Sequence, residues 1–227
     1  MKYIKEFADN AAYTAYTSSA DFVTPNVSYI VEDNAVEMTP YVPPVIEPKW
    51  IATYSDSHVE SAQCGTSNVI SEYEITLEDL VDVQIGQCVT SIDDYAFEFC
   101  ESLANVTIGS GLTSIGDEAF HHCSSLTSIT IPNSVTTIGA RAFRFCSGLT
   151  SVVIPNSVTR IGYGAFKGCT SLTNVTVNAT TPPDLGGDAF DNTNNAPIYV
   201  PSASVSAYQS ASGWSNYASR ITAIPNS

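Results

Sequence analysis

Positive charge is scarce in this chain: 8 Lys and Arg stand against 23 Asp and Glu, for a formal net charge of −15 over 227 residues. A protein that neutralises phosphates needs clustered Lys and Arg, and no such cluster occurs along the sequence, so nucleic-acid binding is excluded as an expectation. Long apolar runs are missing too. No stretch approaches the roughly 20 apolar residues that span a bilayer, and neither end carries a lipidation motif, so no membrane insertion is expected. The opening MKYIKEFADNAAYTAYTSS has Glu6, Asp9 and Asn10 where a secretory signal would place its apolar core, and we expect no signal peptide there. What is not scarce is core material: 44% of the residues are hydrophobic, which rules out a disordered chain. The acid is uneven. Residues 1–87 carry 14 Asp and Glu and 3 Lys and Arg, a net of −11 that leaves −4 for the rest. This suits solubility or docking on a basic protein surface.

The six cysteines reveal the organisation. Cys100, Cys123, Cys146 and Cys169 follow one another at intervals of 23, and everything around them recurs in phase. From Val89 the units read VTSIDDYAFEFCESLANVTIGSG, LTSIGDEAFHHCSSLTSITIPNS, VTTIGARAFRFCSGLTSVVIPNS and VTRIGYGAFKGCTSLTNVTVN, four clear repeats over 89–178. A period in the twenties containing L-x-x-[VI]-x-[IV] is the leucine-rich signature, in which each unit is one coil of a solenoid. Leu126, Ile129 and Ile131 put the last two on one face of an extended segment, with Thr130 pointing away. Pro132-Asn133-Ser134 turns the chain, and a second short strand follows over 135–138. Ala142, Phe143 and Cys146 have helical spacing, so a short helical or 3₁₀ turn is expected to face Phe and Cys inward.

No single coil can bury its own apolar face, so stacking must produce continuous ladders. The expected ladders are Ile92/Ile115/Ile138/Ile161, Phe97/Phe120/Phe143/Phe166, Leu103/Leu126/Leu149/Leu172 and the four cysteines, read as buried free thiols. Cys64 and Cys88 fall outside the ladder, and the sequence leaves open whether they pair. The fold class expected is mainly β: a leucine-rich repeat solenoid with 23-residue coils, capped at both ends, plus a small N-terminal helix-hairpin arm. Residues 49–227 form the solenoid. Within it, 49–88 hold a cap and a degenerate coil, WIATYSDSHVESAQ reading as a strand or hairpin. Residues 179–227 hold a partial repeat and a cap, in which VSAYQSASGWSNYASRI reads as short helices over the last coil.

The I-G-x-x-A-F-x-x-C-x-x-L-T-x-V-x-I-P unit is similar to the BspA-type leucine-rich repeats. That resemblance implies a surface or secreted protein of gut or oral bacteria, or a virion protein of their phages, acting in adhesion or display, with no catalytic residues. Residues 1–48 are different: a short helix with Ile4, Phe7 and Ala8 on one side, a hairpin flanking Glu32-Asp33-Asn34, and a linker with Pro40, Pro43, Pro44 and Pro48. Y-I-K-E-F followed by P-N-V-S-Y-I-V-E-D-N resembles the attachment end of virion proteins such as head fibres. The resemblance implies an arm that docks on capsid protein, or alternatively a protein of the bacterial cell surface that meets a host-surface protein. Phe7, Ile30 and Val31 are the expected docking residues, and the arm is expected to form a homo-oligomer, a trimer by analogy with fibres, because it is too small to enclose them alone.

Chemistry-bearing groups are weak candidates at best. Asp94 and Asp117, one period apart, form a weak cation site beside Asp93 and Glu118, and a solvated acidic strip is the plainer alternative. His121-His122-Cys123 diverge too much for a metal, and the contiguous Asp56-Ser57-His58 cannot adopt triad geometry by themselves. The sequons at Asn26, Asn105, Asn174 and Asn178 are composition effects. We therefore expect no catalytic residues, no cofactor, no metal beyond that weak site, and a non-enzymatic role.

Overall fold

In a computed structural model the chain divides into Met1–Ile46 and Glu47–Ser227. The structure describes residues 48–56, 59–63, 69–70 and 79–225. The helix, hairpin and linker expected within 1–47, with Phe7, Ile30 and Val31, lie outside the described residues.

The repeat builds a coil with three sides. On one side lie the longer strands β4 (Leu80–Ile85), β6 (Asn105–Ile108), β8 (Ser128–Thr130), β10 (Ser151–Ile154), β12 (Asn174–Val177), β14 (Ile198–Val200) and β15 (Ile221–Ala223). On a second side lie two-residue strands: β3 (Val69–Ile70), β5 (Ser91–Ile92), β7 (Ser114–Ile115), β9 (Thr137–Ile138), β11 (Arg160–Ile161) and β13 (Asp184–Leu185). Neighbouring coils pair in parallel at the sequence period: Val83 faces Val106, Ile129 faces Val152, and Ser91 faces Ser114. A two-residue bridge cannot hold a sheet by itself. Repetition supplies the cooperativity, since the short strands join into one six-stranded sheet. Between β11 and β13 the register slips to Arg160 opposite Asp184, absorbing one inserted residue at the Pro182-Pro183 interruption.

The third side is where the structure departs from expectation. No helix forms over 93–101 or its equivalents; hydrogen-bonded turns run there, with left-handed residues at Tyr95 and Phe99, Glu118 and His122, and Arg141 and Phe145. Positive φ at two positions per coil breaks the helical path and turns alternate N–H groups toward the next coil. Tyr95, Phe97 and Phe99 thus donate to the carbonyls of Asp117, Ala119 and His121 at 2.9, 2.8 and 2.8 Å. The same triplet recurs where Glu118, Phe120 and His122 donate to Ala140, Ala142 and Arg144. The side therefore forms a backbone ladder of its own. In the next coil the two left-handed positions are Gly164 and Gly168, the residue type with least cost there.

The ladders sit at the centre as expected. Phe97, Phe120, Phe143, Phe166 and Phe190 are fully buried, their rings stacked at 5.1, 5.3, 5.2 and 5.5 Å within 10° of parallel. Cys100, Cys123, Cys146 and Cys169 are free and buried. Their small thiols also satisfy carbonyls: Cys123, Cys146 and Cys169 donate to the oxygens of Phe97, Phe120 and Phe143 at 3.2, 3.1 and 3.1 Å. Burial raises the Cys123 and Cys169 thiols well above their ordinary range. Cys88 is disulfide-bonded, and the remaining cysteine, Cys64, lies outside the described residues. The I-G glycine has a steric reason: a Cβ on Gly139 would lie 2.4 Å from the backbone of Gly116, so two coils could not close there.

Both ends are covered. β1 (Pro48–Tyr54) pairs antiparallel with β2 (Val59–Gln63) on one edge and with β4 on the other, as a closing hairpin. At the C-terminus a 3₁₀ turn (Ser202–Ser204), α1 (Val205–Ser210) and a second 3₁₀ segment (Trp214–Arg220) lie over the last coil. Tyr208 and Trp214 are fully buried, and the Trp214 indole donates to the Pro183 carbonyl at 2.7 Å. The cap is built of short helical segments as far as Arg220, as the sequence suggested. Its last residues return as β15, pairing Ile221 with Ile198 at the same 23-residue interval.

Candidate functional site

With the Phe and Cys ladders enclosed, the exposed chemistry of the solenoid gathers on the turn side. Left-handed backbone at each coil's corner projects side chains outward there. Among the described residues four large hydrophobics are exposed, and three of them lie on this side: Tyr95, Phe99 and Tyr163 at 42%, 57% and 47% exposure. Phe99 begins an external ladder, its ring 5.1 Å from His122, which lies 4.8 Å from Phe145. The ladder ends at Gly168, where an added Cβ would strike the Phe145 ring at 2.4 Å. Burial of the ring lowers the His122 pKa, with His121 beside it acting in the same direction.

Cations line the same side one coil further on. The Arg144 guanidinium lies 4.6 Å over the Phe145 ring, and that of Arg141 lies 5.8 Å from the Tyr163 ring. Lys167 and the Tyr163 hydroxyl both donate to one oxygen of Asp188, at 2.8 and 2.9 Å. Those two bonds, Lys167 first, hold the Asp188 carboxyl below its usual range. The charge is sorted along the axis. Residues 89–134 contain six acids (Asp93, Asp94, Glu98, Glu101, Asp117 and Glu118) and no Lys or Arg. Residues 135–180 contain Arg141, Arg144, Arg160 and Lys167 and no acid. Dispersed in sequence, Arg141, Arg144 and Lys167 are brought to one side by the period.

Asp94 and Asp117 do stack on adjacent coils, and the structure gives their carboxylates a backbone task. Asp94 accepts the Asp117 N–H and Asp117 accepts the Ala140 N–H, each at 2.6 Å. A different cluster, missed by the sequence reading, lies beside them. His121 is buried at 8% exposure, with Nδ1 2.9 Å from a Glu98 oxygen and 3.2 Å from a Glu118 oxygen. Arg141 donates to the other Glu118 oxygen at 2.8 Å. The signal for this was the 23-residue spacing of Glu98 and His121. Of the contiguous trio read earlier, Asp56 is described, and Ser57 and His58 lie outside the described residues.

Comparison with solved structures finds several similar solenoids. A leucine-rich repeat protein of T. pallidum aligns at 25% identity and a TM-score of 0.45, over 70% of this chain and 80% of that one. A leucine-rich cell surface protein from Faecalibacterium prausnitzii A2-165 aligns at 26% identity and a TM-score of 0.45, over 73% of this chain. The pneumococcal vaccine antigen PcpA aligns at 19% identity and a TM-score of 0.46, over 63% of this chain. The chain spans only 56% and 39% of the length of those last two. No curated protein matches it in sequence. The model of the BspA-type leucine-rich repeat region matches residues 68–211 in 6 copies, which takes in the degenerate first coil and the partial last one as well as the four clear repeats. By that match over more than half its length, the chain belongs to the BspA-type leucine-rich repeat family.

Proposed function

We propose that this is a non-enzymatic binding protein that displays its solenoid and engages another protein through the turn side. The observation that carries the reading is the band of exposed Tyr95, Phe99 and Tyr163 with Arg141 and Arg144. Aromatics and Arg are the residue types that dominate binding energy at interfaces, and here they stand on a rigid backbone ladder.

Residues 1–48 supply the attachment in this proposal, docking the protein on a phage capsid as a decoration or head-fibre protein. Its support is the similarity of Y-I-K-E-F and P-N-V-S-Y-I-V-E-D-N to virion attachment segments, with Phe7, Ile30 and Val31 seeking burial against another chain. Full-length protein should form a defined oligomer, a trimer, and co-sediment with the major capsid protein. A strict monomer with no affinity for capsid would sink the virion reading. A second reading, a bacterial cell-surface adhesin, is favoured by the Cys88 disulfide, because disulfides persist in oxidising compartments outside the cytosol. Binding to cells that survives loss of residues 1–46 and fails in a Phe99→Ala, Tyr163→Ala double variant would select it.

A further inference from the structure

We propose that Glu98, Glu118 and His121 form a three-ligand site for a divalent transition cation of the zinc type, bridging two adjacent coils. One donor atom from each lies within 4.8 Å of the others. Glu98 and His121 occupy the same position of successive coils. Their separation is set by the backbone: the Phe99 N–H donates to the His121 carbonyl at 2.8 Å, and the His121 N–H donates to the Glu118 carbonyl at 3.0 Å. These residues are held in place by the turn ladder itself.

The polar accounting leaves a cation wanting. Nδ1 of His121 has two carboxylate oxygens at 2.9 and 3.2 Å, and an imidazole nitrogen carries a single proton, so one N–H is divided between two acceptors. With the imidazole neutral, two carboxylates face one guanidinium, Arg141, and one negative charge stays uncompensated in a site whose side chains are only 11%, 24% and 15% exposed. A divalent ion on Nδ1 takes the cluster from −1 to +1 and gives both carboxylates a common partner, which the single imidazole N–H cannot do. Bond lengths of about 2.0–2.2 Å to nitrogen and oxygen place tetrahedral ligand atoms ~3.4 Å apart, so the two distances to Nδ1, 2.9 and 3.2 Å, need open only slightly. Arg141 lies on the far oxygen of Glu118 and orients the ligating one, the outer-shell support that such carboxylates take.

The donor set selects among cations. Calcium takes six to eight oxygen ligands and magnesium keeps its waters, whereas one imidazole with two carboxylates suits zinc and its neighbours, with the fourth position left to water. Bound there, the ion would staple the coil carrying Glu98 to the coil carrying Glu118 and His121, next to the Phe99–His122–Phe145 ladder.

The test uses full-length, tag-free, chelator-treated protein titrated with zinc chloride by calorimetry and followed by thermal unfolding. One equivalent should bind saturably and raise Tm, and magnesium chloride should do neither. Glu98→Gln and His121→Gln should each weaken binding roughly tenfold or more. His122→Gln, one residue away, should leave it unchanged. Glu98 is the more exposed ligand, so its variant keeps the test decisive if His121→Gln fails to fold. Cobalt bound at the site should show ligand-field absorption without an intense thiolate charge-transfer band. Absence of saturable zinc binding, binding indifferent to Glu98→Gln, or a thiolate band would each overturn the assignment.

Discussion

Phe143 and Arg144 are neighbours in sequence with opposite fates, which makes them the clearest test of how a coil is oriented. Phe143 is fully buried between the rings of Phe120 and Phe166 at 5.3 and 5.2 Å. Phe143→Ala should cost roughly 3–5 kcal/mol, because the coils above and below cannot collapse into the void without breaking their backbone ladders. Arg144→Ala removes a guanidinium lying on Phe145 at the surface and should cost no more than about 1 kcal/mol. Chemical denaturation of both variants checks the pair, and equal small effects would mean that the coil is turned inside out. Both fates were legible in the sequence, since Phe recurs every 23 residues while the Arg144 position is filled by Glu98, His121 and Lys167 elsewhere. The left-handed backbone at Tyr95, Phe99 and their equivalents was not legible. Tyr, Phe, Glu and Arg do not favour positive φ, and the bonds that hold it there go to another coil.

At the scale of the element, the C-terminal cap closes the end of the solenoid. Trp214 is fully buried, 5.9 Å from the last ring of the Phe ladder, Phe190, and 4.8 Å from Tyr208. Trp214→Ala should destabilise by roughly 3–5 kcal/mol and expose a ready-made edge, so concentration-dependent association in sedimentation velocity should accompany the lower Tm. The same cap makes the protein sensitive to alkali. Burial pushes the Tyr217 phenol up to about 12 and raises that of Tyr208 as well, from an ordinary value of 10. A raised phenol pKa favours the protonated form in the folded state. Its stabilisation is therefore complete below pH 10 and is lost as pH rises from 10 towards 12. Denaturant midpoints measured across that window should fall. Replacing Tyr217 by Phe, which removes one titrating group, should flatten the fall. The sequence showed that a cap was needed and that Tyr208, Trp214 and Tyr217 would make it. It did not show β15, because three residues, I-T-A, are too short a strand to recognise without the neighbour that pairs with them.

Across the described solenoid the long strands form two sheets, β2-β1-β4-β6 and β8-β10-β12-β14-β15, and the short strands form one from β3 to β13, so the solenoid is a quasi-linear array whose coils stabilise their neighbours. Deleting residues 1–46 should leave a cooperatively unfolding, soluble protein, since β1 opens at Pro48 and completes the N-terminal hairpin. Loss of cooperative thermal unfolding in that truncation would show that the boundary lies elsewhere. The sorting of charge, six acids and no Lys or Arg over 89–134 against four cations and no acid over 135–180, is also a property at this scale. Three of those cations, Arg141, Arg144 and Lys167, stand on the turn side and Arg160 on β11, so recognition through the turn side should weaken with salt as exposed charges are screened.

The period, the Ile, Phe, Leu and Cys ladders, the free state of the four ladder cysteines and the membership in a repeat family were all legible in the chain alone. Apolar spacing and burial are one-dimensional facts when each unit repeats the last. Tertiary structure decided the turn side. Whether its backbone is helical, whether Asp94 and Asp117 hold an ion or a backbone N–H, and whether Glu98 reaches His121 depend on how closely one coil approaches the next. That distance is set by hydrogen bonds between residues 22 to 23 apart, whose geometry no local preference of the chain specifies.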